Sequence, residues 1–130
     1  MAVIEKFPVH DIGARTWGRE VVIAHTPQYL GKVLYMNAGY AGGLQYHRLK
    51  TETFFLFSGK ALVTTDKGDG ILTEFVMEPG ESYHIPTGAV HKVTALEDSV
   101  FFECSTPVFE DRVRVEAEYG LKMEGGLPTT

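Results

Sequence analysis

The sequence contains only one cysteine, Cys104, in 130 residues. A single cysteine cannot form an internal disulfide, and no charged leader followed by an apolar run precedes the rest of the chain. The apolar runs are also far shorter than the roughly 20 residues that cross a bilayer. We therefore expect a soluble cytoplasmic protein without a membrane partner, in which Cys104 is a small residue of the core.

Basic residues are few and dispersed. Twelve Lys and Arg stand against seventeen Asp and Glu, and the formal net charge is −5. A surface that follows a phosphate backbone needs clustered basic residues, so the composition predicts no nucleic-acid partner. The 44% hydrophobic and 12% aromatic content is enough for a packed core, and the length corresponds to a single domain.

The apolar residues occur in short runs rich in Val, Ile, Tyr, Phe and Thr that are separated by turn residues. This pattern predicts an all-β fold of about nine strands without a helix, arranged as a jelly roll or a comparable sandwich barrel. We divide the single domain, 1–130, into an N-terminal arm (1–18), a barrel (19–107) and a C-terminal extension (108–130). The arm has room for one short strand. The extension is predicted to form a last short strand or a helical turn before frayed final residues.

Two stretches carry side chains that can bind a metal ion. In the first, Gln45 and His47 lie two residues apart and so share one face of a strand, and Glu52 follows on the next strand. In the second, Pro86 and Gly88 are expected to shape a hairpin that directs His91 toward the first three. Two imidazoles, a carboxylate and an amide oxygen suit zinc, iron, manganese, cobalt or nickel.

Both stretches resemble the two conserved motifs of the cupin superfamily. The positions that match the first motif are Gly39, Gln45, His47, Glu52 and Gly59, with Gln45 where a histidine usually stands. The positions that match the second are Gly80, Pro86, Gly88 and His91, and Ala95 replaces its terminal asparagine. The resemblance implies a cupin jelly-roll β-barrel, also called a double-stranded β-helix, with Gln45, His47, Glu52 and His91 as metal ligands.

The resemblance narrows to the type II mannose-6-phosphate isomerases. LQYHRLKTETFFLFSG is similar to that group's first motif, Arg15-Thr16-Trp17-Gly18 to its RPWG segment, and EDRVRVEAEYG to its acidic segment ending in YG. This implies a sugar or sugar-phosphate substrate and a divalent metal ion, zinc before iron, manganese, cobalt or nickel. By analogy with small cupins it also implies a homodimer.

An isomerase of this kind transfers a proton between adjacent sugar carbons through an enediol, and it needs a base near the metal. His84, two residues before Pro86, is the expected base. Lys50, Lys92 and Arg114 are the candidates to hold a phosphate.

Two other functions are compatible with the sequence. His47, His91 and Glu52 alone form the two-histidine, one-carboxylate set of a non-haem iron dioxygenase. A non-catalytic carbohydrate-binding or regulatory cupin is favoured by Leu49 and Leu121, which replace a His and an Arg of the isomerase group. For Gln45, a hydrogen bond to a metal-bound water or a strand carbonyl is the alternative to direct ligation.

Overall fold

The computed structural model describes residues 1–123, apart from the side chain of Arg15. The predicted fraying of the last residues concerns 124–130, which lie outside the described residues. The described strands are β1 (His10–Arg15), β2 (Gly18–His25), β3 (Leu30–Met36), β4 (Gln45–His47), β5 (Glu52–Ser58), β6 (Ala61–Asp66), β7 (Leu72–Met77), β8 (Ser82–Ile85), β9 (His91–Ala95), β10 (Ser99–Ser105) and β11 (Arg112–Arg114). A 3₁₀ helix, Glu116–Tyr119, follows β11.

The strands form two antiparallel sheets that enclose one interior. One sheet has the order β1-β2-β3-β10-β5-β8, and the other has the order β11-β4-β9-β6-β7. The prediction of an all-β jelly roll is confirmed. The nine strands of the predicted series are all present, and β1 and β11 add one strand from the arm and one from the extension. None of the helical residues described here forms a segment long and apolar enough to cross a membrane.

The hairpin predicted around Pro86 and Gly88 is wrong. Strand β8 pairs with β5 in the first sheet, whereas β9 pairs with β4 and β6 in the second. The connection between β8 and β9 therefore crosses from one sheet to the other. Its glycine, Gly88, donates its backbone N–H to the carbonyl of His47 at 2.9 Å. This bond ties the connection to β4, and His91 is paired with Gln45 on the neighbouring strand of the same sheet.

The interior has an apolar part and a charged part. The apolar part is a cluster of buried side chains that comprises Trp17, Met36, Phe54, Leu56, Ala61, Val63, Met77, Ile85, Ala95 and Phe101. Burial of each large apolar side chain stabilises the fold by about 1.5–3 kcal/mol. Glu20, Lys32 and Glu103 are also buried, on strands of the six-stranded sheet. Each charge in this second part needs a partner of opposite charge inside the barrel.

The expectation that Cys104 belongs to the core is wrong, because Cys104 is exposed. Side chains alternate between the two faces of a strand. On β10 the buried positions are Phe101, Glu103 and Ser105, so Cys104 lies on the outer face. The two adjacent phenylalanines of this strand do not reveal from the sequence which of them faces inward.

Gly59, which closes the first motif, is a position where we predict that a side chain cannot be accommodated. Its φ is +99°, and a Cβ would lie 2.5 Å from the Asp98 carbonyl oxygen and also against Ser99. We expect Gly59→Ala to lower the free energy of unfolding by about 2–4 kcal/mol. The matched control is Gly42→Ala, because Gly42 has open space around it. Denaturant melts that place the two variants at equal stability would contradict this prediction.

Candidate metal centre

The four side chains predicted to bind a metal lie together at the charged part of the interior. Gln45 and His47 begin and end β4, Glu52 begins β5, and His91 begins β9. Gln45 and His91 are paired residues of adjacent strands. All four are buried, with 7–9% of their surface exposed. The two-residue spacing on β4 thus directs Gln45 and His47 inward, as the sequence predicts.

The ring nitrogens of the two histidines approach the same carboxylate. His47 Nε2 is 3.8 Å from Glu52 Oε2, and His91 Nε2 is 3.8 Å from Glu52 Oε1. One ligand atom from each of the three residues lies within 4.8 Å of the other two. The structure therefore brings His47, Glu52 and His91 close enough to share one cation.

The opposite nitrogen of each ring already has a hydrogen-bond partner. His91 Nδ1 donates to the carbonyl oxygen of Ala89 at 2.9 Å, and His47 Nδ1 is 3.1 Å from Asp111 Oδ1. A ring that donates from Nδ1 carries its lone pair on Nε2, which is the atom that faces Glu52. Both histidines are thus held in the tautomer that can bind a metal.

The amide oxygen of Gln45 supports the same interpretation. Gln45 Oε1 is fully buried and has no hydrogen-bond partner among the described residues. A buried acceptor without a partner costs about 1–3 kcal/mol. A cation between Gln45, Glu52 and the two histidines would satisfy this oxygen, and the mixed nitrogen and oxygen donors fit a borderline divalent ion.

Lys50 stabilises the ionised form of Glu52. Its Nζ lies 3.0 Å from Glu52 Oε2 and 2.8 Å from Glu103 Oε2. Burial opposes the charge of Lys50, but Glu103 and Glu52 outweigh it and raise the lysine pKa. Burial also opposes the charge of Glu52, and Lys50, His91 and His47 outweigh it and lower the Glu52 pKa. Lys50 therefore keeps Glu52 ionised, as a metal ligand must be.

The pKa values of His91 and Glu103 shift in opposite directions. Burial, above all, lowers the pKa of His91, so its ring is neutral near pH 7 and available as a ligand. Burial and then the Glu52 carboxylate raise the pKa of Glu103, against the opposing charges of Lys50 and Lys32. One ammonium group shared by two buried carboxylates compensates only one of them fully.

Asp111 is a residue of this site that the sequence analysis missed. Its Oδ1 contacts His47, and its Oδ2 accepts the backbone N–H groups of Leu49 at 2.7 Å and Lys50 at 2.9 Å. Burial opposes its ionisation, but these hydrogen bonds and His47 lower its pKa overall. A carboxylate beside the non-ligating nitrogen of a histidine fixes the ring and raises its basicity. The signal in the sequence was an acidic residue just before the short strand β11.

The expected base, His84, and two of the phosphate candidates, Lys50 and Arg114, occupy different environments. Lys50 reaches the donor cluster, but its charge is taken by two carboxylates, which does not suit a phosphate site. Arg114 is paired with Glu116 at 2.6 Å and packs beside Gly43. His84 is exposed, and its Nδ1 contacts the hydroxyl of Thr53 and the backbone carbonyl of Glu52.

The position of His84 follows from its strand. It pairs with Thr53, whereas the next residue, Ile85, is buried and pairs with the inward-facing Glu52. His84 is therefore on the outer face of the barrel, and the structure does not bring it to the donor cluster. For so short a strand, the sequence alone did not indicate which residues face the interior.

A cavity of about 100 Å³ opens beside the donors. Gln45, Glu52 and His91 line one part of it. Four charged residues outside the predicted site also line it: Glu20, Lys32, Glu103 and Arg112. The signal in the sequence for Glu103 was one charged residue within the otherwise uncharged strand β10.

The chain belongs to the cupin domain family, whose model matches residues 32–103. Search of curated proteins gives no match. Among solved structures, CapF from Staphylococcus aureus aligns with a TM-score of 0.73 and 21% identity over 84% of this chain and 32% of its own. KdgF from Halomonas sp. aligns with a TM-score of 0.66 and 19% identity over 76% of this chain and 88% of its own.

Oxalate decarboxylase from Bacillus subtilis gives a TM-score of 0.66 and 21% identity over 82% of this chain and 30% of its own. This chain therefore spans about a third of the length of CapF and of the decarboxylase. At these identities the likeness establishes the fold alone. The narrower resemblance to mannose-6-phosphate isomerases stays a prediction.

We predict that Asp111→Asn weakens metal binding. The amide offers one acceptor in place of a charged group that contacts His47 and two backbone N–H groups, so the ring is held less firmly. The dissociation constant for Zn²⁺ or Mn²⁺, measured by calorimetric titration, should rise about 10–100-fold. Asp69→Asn is the control, because Asp69 lies in an exposed turn. An unchanged constant in Asp111→Asn would contradict the role of this carboxylate.

We predict a pH-dependent contribution of Glu116 to stability. Glu116 accepts hydrogen bonds from Arg114 and from the Leu44 backbone N–H. Burial opposes its charge, but these bonds lower its pKa overall. The stabilisation is therefore complete above the unfolded-state pKa, near 4.3, and is lost as the pH falls through the folded-state value.

The measurement is the melting temperature of the wild type and of Glu116→Gln between about pH 7 and pH 3. The wild type should exceed the variant by a constant margin above about pH 5, and the margin should shrink below about pH 4. Glu97→Gln, at an exposed position, is the control. A margin that stays constant down to the lowest pH would argue against this linkage.

Proposed function

We propose that this protein is a metal-dependent isomerase of a small sugar or sugar phosphate, which moves a proton between adjacent carbons of the substrate. The observation that carries the proposal is the unpartnered oxygen of Gln45 beside His47, Glu52 and His91, at the wall of a cavity. Gln45 adds a neutral oxygen to the two imidazoles and the carboxylate. A divalent ion bound there would polarise a substrate carbonyl and stabilise an enediolate oxygen.

The residues around the cavity supply the other functions of such an enzyme. His47, Glu52, His91 and Gln45 would hold the metal, and the apolar side chains Phe54 and Phe101 line the cavity and limit water near the reacting carbons. Asp111 orients His47. The substrate would thus be enclosed between fixed polar groups on one side and apolar side chains on the other.

Glu103 replaces His84 as our candidate for the base. It lines the same cavity as Glu52 and His91, and it shares Lys50 with Glu52. Its raised pKa favours a carboxylate that can accept a proton from carbon and return it. In the proposed reaction an oxygen of the Glu103 carboxylate takes the proton from the carbon that carries the hydroxyl and delivers it to the neighbouring carbonyl carbon, while the hydroxyl proton passes to the former carbonyl oxygen.

The structural neighbours are consistent with this class of chemistry. CapF is a capsular polysaccharide assembling protein, and the Bacillus subtilis oxalate decarboxylase has Mn(II) centres. The same barrel therefore occurs in a protein of polysaccharide assembly and in a manganese protein. Zinc is our first choice for this chain, and manganese is the alternative that the decarboxylase suggests. The predicted homodimer and cytoplasmic location remain predictions.

A non-haem iron dioxygenase is the second candidate. It is favoured by the proximity of His47, Glu52 and His91. These three residues form a two-histidine, one-carboxylate set that does not need Gln45 as a ligand. Metal content separates the two candidates. Iron in the purified protein together with substrate-dependent oxygen uptake would favour the dioxygenase over the isomerase.

We predict that the metal-loaded protein converts mannose 6-phosphate to fructose 6-phosphate, measured in a coupled assay. His91→Ala should lose both bound metal and turnover. Glu103→Gln should keep the metal but lower the turnover rate at least about 100-fold, because the amide cannot accept the proton. Glu97→Gln, at an exposed position, is the control for the loss of a carboxylate.

Each result has a separate meaning. Turnover in Glu103→Gln close to that of the wild type would remove Glu103 as the base and leave the isomerase standing. A fully metal-loaded wild type that converts neither mannose 6-phosphate nor unphosphorylated mannose would count against the isomerase and favour a binding function.

A further inference from the structure

The Lys50 side chain has an unusual position for a residue so close to a metal site. Only 2% of it is exposed, and its ammonium group lies between Glu52 Oε2 at 3.0 Å and Glu103 Oε2 at 2.8 Å. Its backbone N–H donates to Asp111 Oδ2, and the other carboxylate oxygen of Asp111 contacts His47. Lys50 is thus fixed at both ends, by one carboxylate at the backbone and two at the side chain.

This arrangement distinguishes the two oxygens of Glu52. Oε2 accepts the ammonium group of Lys50, whereas Oε1 faces His91 Nε2 at 3.8 Å. Oε2 is also 3.8 Å from His47 Nε2, so distance alone does not separate the two oxygens. The ammonium group does separate them, because a divalent cation bound to the same oxygen would bring two like charges into close contact in a buried site.

We propose that Lys50 is a positioning residue that limits Glu52 to coordination through Oε1 and thereby keeps one more metal position open for a ligand. This inference rests on the proposed metal site but not on the isomerase reaction. A carboxylate can bind a divalent cation through one or both of its oxygens. With Oε2 held by Lys50, Glu52 contributes one bond instead of two.

A ligand at the open position would approach from the cavity. Gln45, Glu52 and His91 line the cavity, and so do Glu20 and Glu103. A ligand bound to the metal from this side would share the cavity with these two carboxylates. This arrangement suits a small molecule with two adjacent oxygens, such as a carbonyl and a neighbouring hydroxyl, that carries a further hydroxyl to donate to a carboxylate.

The test uses Mn²⁺ as the probe and needs no substrate. Broadening of the Mn²⁺ electron paramagnetic resonance lines in ¹⁷O-enriched water counts the exchangeable waters on the ion. Removing Lys50 alone would take away the nearer of the two ammonium groups beside buried Glu103, which is strongly destabilising. We therefore compare the double variant Lys50→Met/Glu103→Gln with Glu103→Gln alone and with the wild type.

We expect the wild type and Glu103→Gln to carry the same number of waters, because both retain Lys50 on Glu52. The double variant should lose one water as the second Glu52 oxygen binds the ion. Its Mn²⁺ dissociation constant should stay the same or fall, since a neighbouring positive charge is removed. Equal water counts in the double variant and Glu103→Gln, with a dissociation constant at least tenfold higher in the double variant, would reduce Lys50 to a structural role.

A crystal structure of the Mn²⁺-loaded wild type gives an answer that is independent of the variants. Coordination through Glu52 Oε1 alone, with Lys50 still on Oε2, is the expected result. Coordination through both oxygens would overturn the proposal, and so would a wild type that binds no Mn²⁺ at Gln45, His47, Glu52 and His91. A confirmed water count in a protein without isomerase turnover would uphold the role of Lys50 and reject only the proposed function.

Discussion

The compensation of buried charge around Lys50 is the interaction on which the site depends. Glu52 and Glu103 are both buried and both contact this one ammonium group. Lys32 lies 2.9 Å from Glu20 and 3.9 Å from Glu103, and so extends the alternation of charges further into the barrel. A buried charge without a partner is costly, whereas an alternating series is tolerated. The charged part of the interior can therefore persist next to a cluster of apolar side chains.

An apolar replacement for these buried pairs would often be as stable or more stable. Their presence therefore points to a role beyond stability, and the cavity that Glu20, Lys32, Glu52 and Glu103 line supplies one. A barrel closed throughout by apolar residues would offer a metal site with no polar surface for a substrate. Here the charges that hold Glu52 ionised also form the wall that a metal-bound ligand would meet.

The C-terminal extension belongs to this site as much as the motifs do. Strand β11 pairs with β4, so Arg112 lies opposite His47 and Arg114 opposite Gln45. Asp111 contacts His47, and Glu116 holds both Arg114 and the backbone of Leu44, the residue before Gln45. The short strand β4 is thus fixed by the extension on one side and by β9 on the other. A three-residue strand needs such support to place two side chains accurately.

The sequence was sufficient for the features that depend on local spacing. The alternation of strand residues placed Gln45 and His47 on one face, and the turn residues between apolar runs identified every strand of the predicted series. It was insufficient where a prediction depended on which face of a strand points inward or on which strands pair with each other. Cys104 was predicted on the wrong face, His84 was predicted near the metal without a known strand parity, and the segment around Gly88 was predicted to be a hairpin, because these positions depend on contacts made by distant strands. Asp111 and Glu103 were missed for the same reason, since each reaches the site from far along the chain.

Gln45 is the residue at which the sequence motif and the structure both point to a metal site. A histidine at this position would bring a third imidazole, which is a stronger ligand than an amide and has a second nitrogen that requires its own partner. The glutamine brings a neutral oxygen that is buried and has no partner among the described residues. With Glu52 as the one charged donor, a divalent ion held by this set keeps a net positive charge. Lys50 does not add to that charge, because its ammonium group is shared by Glu52 and Glu103. A site with this balance attracts ligands that carry or develop negative charge on oxygen, as an enediolate does.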